Sequence, residues 1–172
     1  QALNVHFQGQ TVTPLIPTAA HSGDTMMWSN RGDNVATSMS RAFDLSGVKN
    51  ATLQFATWYD IEEDWDYGYV EVSTDNGQTW DLLKTSRMTD TNPNGNAFGP
   101  GLTGQSGEKD NPQWVEETAD LTPYAGKKIL IRFQQINDDA VNLNGFAVDD
   151  IRIPEIKYSE DFETGDGGWK TE

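Results

Sequence analysis

Apolar and polar residues alternate along many short segments of the chain. Because successive side chains of a β-strand point to opposite faces of the sheet, a period of two residues predicts a strand with one buried face. Residues 68–73 follow this pattern, with Gly68, Val70 and Val72 on one face and polar or aromatic residues between them. Similar patterns predict strands at residues 26–30, 36–45, 51–61, 80–85, 114–121, 128–136 and 145–153.

Turn residues separate these segments, and no amphipathic helix of useful length is visible. The dipeptide Asn76-Gly77 is the strongest turn signal, because both residues tolerate positive φ in a tight hairpin. Many short strands with turns between them predict an all-β fold, a β-sandwich of the jelly-roll type. Residues 1–18 also alternate and predict one or two edge strands, whose pairing Pro14 and Pro17 would limit.

Two stretches depart from this pattern. Residues 88–112 are rich in Asn, Gly, Pro and Ser and predict a long loop, which in a compact domain is usually functional or mobile. The acidic tail at residues 158–172 spaces its aromatic residues as a strand would, so we interpret it as the first strand of a following module rather than as disordered. The expected organisation is one sandwich domain over residues 1–157, followed by this tail.

The composition narrows the possible partners. The formal net charge of the 172 residues is −15 at pH 7, which argues against nucleic acid or an anionic membrane and suits a soluble secreted protein or one that binds cations. The chain has no cysteine, and no apolar run approaches the length of a membrane span. Since it begins at Gln1 without a methionine, we expect a processed form or an excised piece of a longer protein.

The usual catalytic motifs are absent from the sequence. It contains two histidines, His6 and His21, and no H-E-x-x-H zinc motif, nucleophile elbow or phosphate-binding loop. We therefore expect that this chain is not a catalyst by itself. Glu62 and Asp149 are a carboxylate pair that suggests a glycosidase as an alternative, although acidic loops are common in proteins without that activity.

Acidic residues beside the predicted strand ends indicate a cation site. Asp149 and Asp150 lie inside an apolar segment, so the alternation directs one of the two carboxylates inward or toward a sheet edge. A buried carboxylate is costly unless it is paired or binds a metal ion, and calcium takes roughly six to eight oxygen ligands. An ion pair with Arg132 or Arg152, or a solvated acidic face, is the alternative. We predict a calcium site formed by Asp24, Asp33, Glu62 and Asp149.

Aromatic residues allow two further interpretations. Residues 73–80 read S-T-D-N-G-Q-T-W, which resembles the Asp-box of sialidases and many secreted β-proteins. In that hairpin, a folding device rather than a catalytic one, Asp75 would accept backbone N–H groups and Trp80 would pack onto the turn. Exposed aromatic residues could also stack on sugar rings, as in a carbohydrate-binding module, although they more often belong to the core. The candidates are Trp28, Trp65 and Trp114.

Several longer segments, taken together, resemble one protein family. They are MMWSNRGDN (residues 26–34), FDLSG (43–47), ATLQFATWYDIEEDWDYGYVEVSTDNGQTW (51–80), TNPNGNAFGPGLTGQSG (91–107), ADLTPYAGKKILIRF (119–133) and GFAVDDIRIP (145–154). With them, residues 22–154 resemble the region that follows the catalytic domain in immune inhibitor A-type secreted metallopeptidases, peptidase family M6.

The resemblance implies a fold, a ligand and a role. In that family the region is a MAM-like β-sandwich with bound calcium, and acids of a D-D-I closing strand are typical calcium ligands in related jelly rolls. Asp149 is therefore the first expected ligand, followed by Asp24, Asp33 and Glu62. The zinc motif lies in a separate domain and is missing here, so no peptidase activity is expected of this chain. The expected role is that of an accessory domain in a secreted bacterial protein, which packs on the peptidase domain or a neighbouring β-sandwich module, or binds a protein or glycan surface.

Overall fold

Twelve short strands provide nearly all of the regular structure in the computed structural model, which describes residues 2–9 and 12–172. Two 3-10 turns, Thr122–Tyr124 and Pro154–Ile156, are the helical elements of these residues, and neither has the length or apolarity that a membrane crossing requires. The expected all-β fold is confirmed. The strands are β1 Met27–Trp28, β2 Ala36–Asp44, β3 Thr52–Asp60, β4 Tyr67–Ser73, β5 Asp81–Leu82, β6 Gly107–Glu108, β7 Asn111–Pro112, β8 Val115–Asp120, β9 Lys128–Ile136, β10 Gly145–Ile153, β11 Tyr158–Glu160 and β12 Lys170–Thr171.

Two antiparallel sheets pack face to face. The first has the strand order β1-β10-β3-β8, with β11 paired to the second half of β10, and the other has the order β12-β2-β9-β4-β5. The core lies between them, where the rings of Phe55 on β3 and Phe133 on β9 meet edge to face with their centroids 5.0 Å apart. This arrangement confirms the expected sandwich of the jelly-roll type.

Strand β4 is buried on both faces, whereas the alternation predicts one solvated face. All seven of its residues are buried. The long loop after β5 folds back on this strand: Gly68 and Leu102 exchange two backbone hydrogen bonds of 2.8 Å, and Phe98 N donates to the Tyr69 hydroxyl. The outward side chains of β4 are therefore covered by a distant part of the chain, which the two-residue period cannot reveal.

The hairpin between β4 and β5 forms as the Asn76-Gly77 signal predicts. Both residues have positive φ, 60° and 84°. Asp75 Oδ1 accepts the backbone N–H of Thr79 at 2.9 Å. Trp80 packs back onto the sheet, with the guanidinium carbon of Arg132 4.1 Å from the centroid of its ring.

The N-terminal segment forms no strand within residues 2–9 and 12–18, contrary to the expectation for residues 1–18, of which residues 1, 10 and 11 lie outside the described part. Leu3, Val5 and Phe7 are exposed. The chain first joins the sandwich at Ile16, which is buried, and at Ala19, whose carbonyl accepts the Trp114 indole N–H. Strands β1 and β11 already occupy the edge beside β10, so the first sheet has no place for this segment there.

The tail belongs to the same sandwich, which corrects the expectation of a separate module after residue 157. Strand β11 pairs with β10 and β12 pairs with β2, so the tail crosses from one sheet to the other. Phe162 and Trp169 are each 2% exposed and lie in the core, where the Trp169 ring contacts Phe43 and Phe133. The tail residues therefore fill the space between the sheets at this edge.

Candidate metal centre

The turn that follows β3 brings two carboxylates together. The carbonyl of Glu62 accepts hydrogen bonds from the backbone N–H groups of Trp65, at 3.3 Å, and Asp66, at 3.0 Å. Asp64 has a φ of 67°, a left-handed conformation that Asp adopts more readily than most residues. This tight turn ends at Asp66, immediately before β4, and places its side chain beside that of Glu62.

A third carboxylate comes from the loop after β9. Tyr67 at the start of β4 pairs with Ile136 at the end of β9, so Asp66 and Asp138 continue the two strands at neighbouring positions. The backbone N–H of Asp138 donates to Asp66 Oδ1 at 2.9 Å. One carboxylate oxygen from each of Glu62, Asp66 and Asp138 lies within 4.8 Å of the other two, and we call these three residues the acidic triad.

Asp66 is the buried member of the triad and is incompletely paired. It is 1% exposed, and its Oδ2 has no hydrogen-bond partner among the described residues. Burial, together with the nearby charge of Asp138, raises the pKa of Asp66 to about 6. Desolvation and the same neighbour raise the pKa of Glu62 as well. Within the described part of the chain no ion pair includes a member of the triad, so three negative groups converge there without a cation from the protein.

The long loop is attached to the triad by hydrogen bonds. The side-chain amide of Asn96 donates to the carbonyl of Trp65 at 3.3 Å and to Asp138 Oδ2 at 3.4 Å. Thr103 Oγ1 donates to the Glu62 carbonyl at 3.2 Å and accepts the backbone N–H of Asp64 at 2.8 Å. Three separate loops therefore meet at one point.

The donor set of the triad fits a hard divalent cation. Calcium binds carboxylate and carbonyl oxygens and water, whereas zinc in proteins favours His and Cys, neither of which is present in this group. The unpartnered Asp66 Oδ2 is the type of atom that such a cation would satisfy. Bound there, calcium would neutralise part of the converging charge and hold the three loops together.

Asp149, the first ligand expected from the sequence, is instead saturated by backbone donors. It is 0% exposed; its Oδ2 accepts the N–H groups of His21, at 3.0 Å, and Ser22, at 3.2 Å, and its Oδ1 accepts that of Asp150, at 2.8 Å. Burial raises the pKa of Asp149, and these hydrogen bonds oppose the rise. The side chain fastens the turn at residues 21–22 to β10.

Asp150 forms an ion pair with arginine, which was the alternative to a calcium ligand for the acids of this strand. Its carboxylate lies 2.6 Å from His21 Nδ1 and 3.0 Å from an Arg152 guanidinium nitrogen. The pairing register of β10 with β3 shifts between Asp149 and Arg152, and Asp150 has a φ of 48°. Burial alone would raise the pKa of Asp150, but hydrogen bonds from His21 and Ser22 and the charge of Arg152 together lower it.

Comparison with known proteins identifies the family of this chain. A family model described as "Immune inhibitor A-like, MAM domain" matches residues 2–171. The chain belongs to the immune inhibitor A-like MAM domain family. This confirms the resemblance seen in the sequence segments.

Curated relatives of this MAM domain are much longer proteins. Pre-pro-metalloprotease PrtV of Vibrio cholerae serotype O1 is 31% identical over 76% of the chain, immune inhibitor A of Bacillus thuringiensis subsp. alesti is 29% identical over 82%, and bacillopeptidase F of Bacillus subtilis is 25% identical over 78%. The matched region spans 13%, 19% and 8% of these relatives. The chain thus corresponds to a small part of each of them.

The four ligands expected from the sequence do not assemble in this MAM domain. Glu62 is in the triad, whereas the exposed Asp24 lies near the tail, where its backbone N–H donates to Glu163 Oε1 at 2.9 Å. Asp33 Oδ1 accepts a hydrogen bond from the Asn142 side chain at 2.7 Å. The sequence reasoning missed Asp66 and Asp138. The only signal in the sequence was that each lies beside the end of a predicted strand, and the pairing of those two strand ends is seen in the structure.

The three tryptophans considered for sugar stacking differ in their surroundings. The Trp28 indole N–H donates to the carbonyl of Asn144, and that of Trp114 donates to the carbonyl of Ala19, both at 2.9 Å. These two indoles are partly buried and fix loops. Trp65, which is 41% exposed, is the one with a large solvent-facing surface. Asp149 is 0% exposed, so a saccharide cannot contact its carboxylate. The pair of Glu62 and Asp149 that suggested a glycosidase therefore has one inaccessible member.

Proposed function

We propose that the chain is a non-catalytic accessory domain of a larger secreted bacterial M6-type metallopeptidase, and that calcium bound at the acidic triad stabilises it. Two of the relatives are named as a metalloprotease and as immune inhibitor A, and the chain corresponds to 13% and 19% of their lengths. In the parent protein its partner would be the peptidase domain or a neighbouring β-sandwich module. The domain would serve in packing or in binding a substrate or surface.

The observation that supports calcium at the triad is the unpartnered oxygen of Asp66. A carboxylate that is 1% exposed loses its hydration on folding, and this loss is unfavourable unless other groups replace the water. One backbone N–H donates to Oδ1, whereas no group in the part of the chain that the structure describes donates to Oδ2. A divalent cation between Asp66, Glu62 and Asp138 supplies the missing partner and reduces the repulsion among the three carboxylates.

The proposed cation differs in position from the one expected from the sequence. It would connect the turn at residues 61–66 to the loop after β9, rather than to the closing strand β10. Because these side chains converge in the folded state, calcium would bind the folded protein in preference to the unfolded chain. Its stabilisation is then RT ln(1 + [L]/Kd), about 3 kcal/mol when free calcium is roughly a hundred times Kd.

Thermal unfolding in excess calcium and in chelator tests the proposal. We expect calcium to raise the Tm of the wild-type chain by several degrees, since about 1 kcal/mol corresponds to roughly 2–4 °C for a domain of this size. Glu62→Gln removes one ligand charge and should abolish most of that rise. Asp24→Asn is the matched control, because Asp24 is exposed and outside the triad, and it should retain the full rise. A wild-type Tm that is the same in calcium and in chelator, with no heat of calcium binding by titration calorimetry, would contradict the site.

A further inference from the structure

Outside the N-terminal segment, the exposed large hydrophobic residues of the described chain are all in the loops that meet at the triad. They are Trp65, 41% exposed, Phe98, 74% exposed, and Val141, 57% exposed. Each of the three loops contributes one of them. We call residues 61–66, 88–104 and 137–144 together the loop face.

Hydrogen bonds join the loops that carry these three residues. The Asn96 amide bonds both to the carbonyl of Trp65 and to the Asp138 side chain. Phe98 is two residues beyond Asn96, and its ring stands edge-on to that of the buried Tyr69 with the centroids 6.2 Å apart. Val141 is three residues beyond Asp138. The apolar side chains are thus presented by fixed loops, and exposed apolar groups collected on one surface mark interaction sites.

Val141 also has an unfavourable backbone conformation. Its φ is 61°, which a β-branched residue rarely adopts. Such strain persists where the surrounding structure imposes it, and it is concentrated at binding sites. The loop after β9 therefore exposes this side chain at a cost in backbone energy.

The charge of the loop face defines the chemistry of its partner. The three segments contain no lysine or arginine and seven acidic residues, namely Glu62, Glu63, Asp64, Asp66, Asp90, Asp138 and Asp139. Lys84, outside these segments, pairs with Asp90, and one divalent cation would offset two further charges, so a net negative surface remains around the exposed apolar residues. A negative rim favours positively charged partners and disfavours negatively charged ones.

We propose that the loop face is a docking surface for a polypeptide segment that presents lysine or arginine side chains beside apolar ones. Trp65 and Phe98 form its apolar centre, and the acidic residues pair with the basic groups at the rim. Large aromatic residues at the centre of an interface typically provide much of the binding energy. This inference rests on the proposed calcium site only in that calcium would hold the three loops in place.

The test measures binding of two synthetic peptides to the full chain in calcium by fluorescence anisotropy. One peptide alternates lysine and leucine, and the matched peptide alternates glutamate and leucine. We expect the lysine peptide to bind with an affinity that falls as salt rises, and the glutamate peptide not to bind. The double variant Trp65→Ala, Phe98→Ala should weaken binding about tenfold or more. Leu3→Ala, at an exposed apolar position on the N-terminal segment, should leave binding unchanged.

Two readouts separate this inference from the calcium proposal. The Trp65 and Phe98 double variant should keep the calcium-dependent rise in Tm, because neither side chain belongs to the triad. If the rise is present but the lysine peptide does not bind, or binds the double variant as well as the wild type, the docking surface is wrong and the calcium site stands. Equal binding of the two peptides would also overturn it. If the lysine peptide binds as expected but calcium has no effect on Tm, the calcium site alone is wrong.

Discussion

Asp149 and Asp66 are both buried carboxylates whose pKa is raised by burial, but they differ in their hydrogen-bond partners. Asp149 accepts three backbone N–H groups through its two oxygens. Asp66 accepts the N–H of Asp138 on one oxygen, has no hydrogen-bond partner for the other within residues 2–9 and 12–172, and lies beside two further carboxylates. The fold supplies hydrogen-bond donors to both oxygens of Asp149, whereas at Asp66 it leaves one oxygen for the cation that we propose.

The same difference extends to the regions around the two residues. Near Asp149, the turn at residues 21–25 is fastened by backbone donors to Asp149 and Glu163, and the tail closes the adjacent edge of the sandwich. Near Asp66, three loops are joined by hydrogen bonds that involve side chains, and they present exposed apolar groups. We infer that the tail side stabilises the domain without a ligand, and that the loop side depends on one.

The largest effect is expected from Trp169→Ala on the tail side. This side chain is 2% exposed, and its indole N–H donates to the Tyr158 hydroxyl at 2.9 Å. Removing it leaves a cavity between the sheets and should lower the free energy of unfolding by about 3–5 kcal/mol. Urea unfolding in calcium and in chelator should give the same loss, because the triad is untouched. Trp65→Ala is the control, and a comparable loss for the two variants would show that burial of the tail is not the cause.

Asp149→Ala should have the next largest effect. The substitution leaves the backbone N–H groups of His21, Ser22 and Asp150 without their acceptor, and it should cost about 2–4 kcal/mol of stability after partial access of water to the turn. The calcium-dependent rise in Tm should remain, since Asp149 is outside the triad. Loss of that rise, measured by calorimetry, would return Asp149 to the ligand set and remove the contrast with Asp66.

The sequence predicts the strands better than it predicts the site, and β9 and β10 show why. Their observed bounds, Lys128–Ile136 and Gly145–Ile153, match the segments predicted from alternation and flanking turns, because both signals are local. Asp66 and Asp138 are 72 positions apart in the chain, and only the pairing of β4 with β9 brings them together. No local pattern specifies that pairing.

The two acids of β10 show a second limit of sequence reasoning. Alternation places Asp150, with Phe146 and Val148, on the face that lines the core. The structure instead buries Asp149, which lies on the opposite face beside its strand partner Ala56 and is covered by the turn at residues 21–22. Alternation cannot reveal the register shift after Asp149 or the positive φ of Asp150, and these let Asp150 reach His21 and Arg152. The carboxylate that is most buried was therefore expected to need calcium, although nearby backbone donors satisfy it.

The smallest effect is expected from Asp66→Asn, and it appears in the dependence of stability on pH. The pKa of Asp66 is about 6 in the folded protein against an ordinary value of 3.8, so between about pH 4 and about pH 6 the folded state holds a proton that the unfolded state has lost. In chelator, this residue should therefore lower stability as pH rises through that interval, and the asparagine variant should lack that contribution. Above pH 6 in chelator, the free energy of unfolding of the variant should equal that of the wild type or exceed it by up to about 1 kcal/mol. The variant should also gain less stability from calcium. Urea midpoints at a series of pH values would measure both effects. Parallel pH profiles for the two proteins would mean that the Asp66 carboxylate is as well solvated or paired as that of an ordinary surface aspartate, and the contrast with Asp149 would fail.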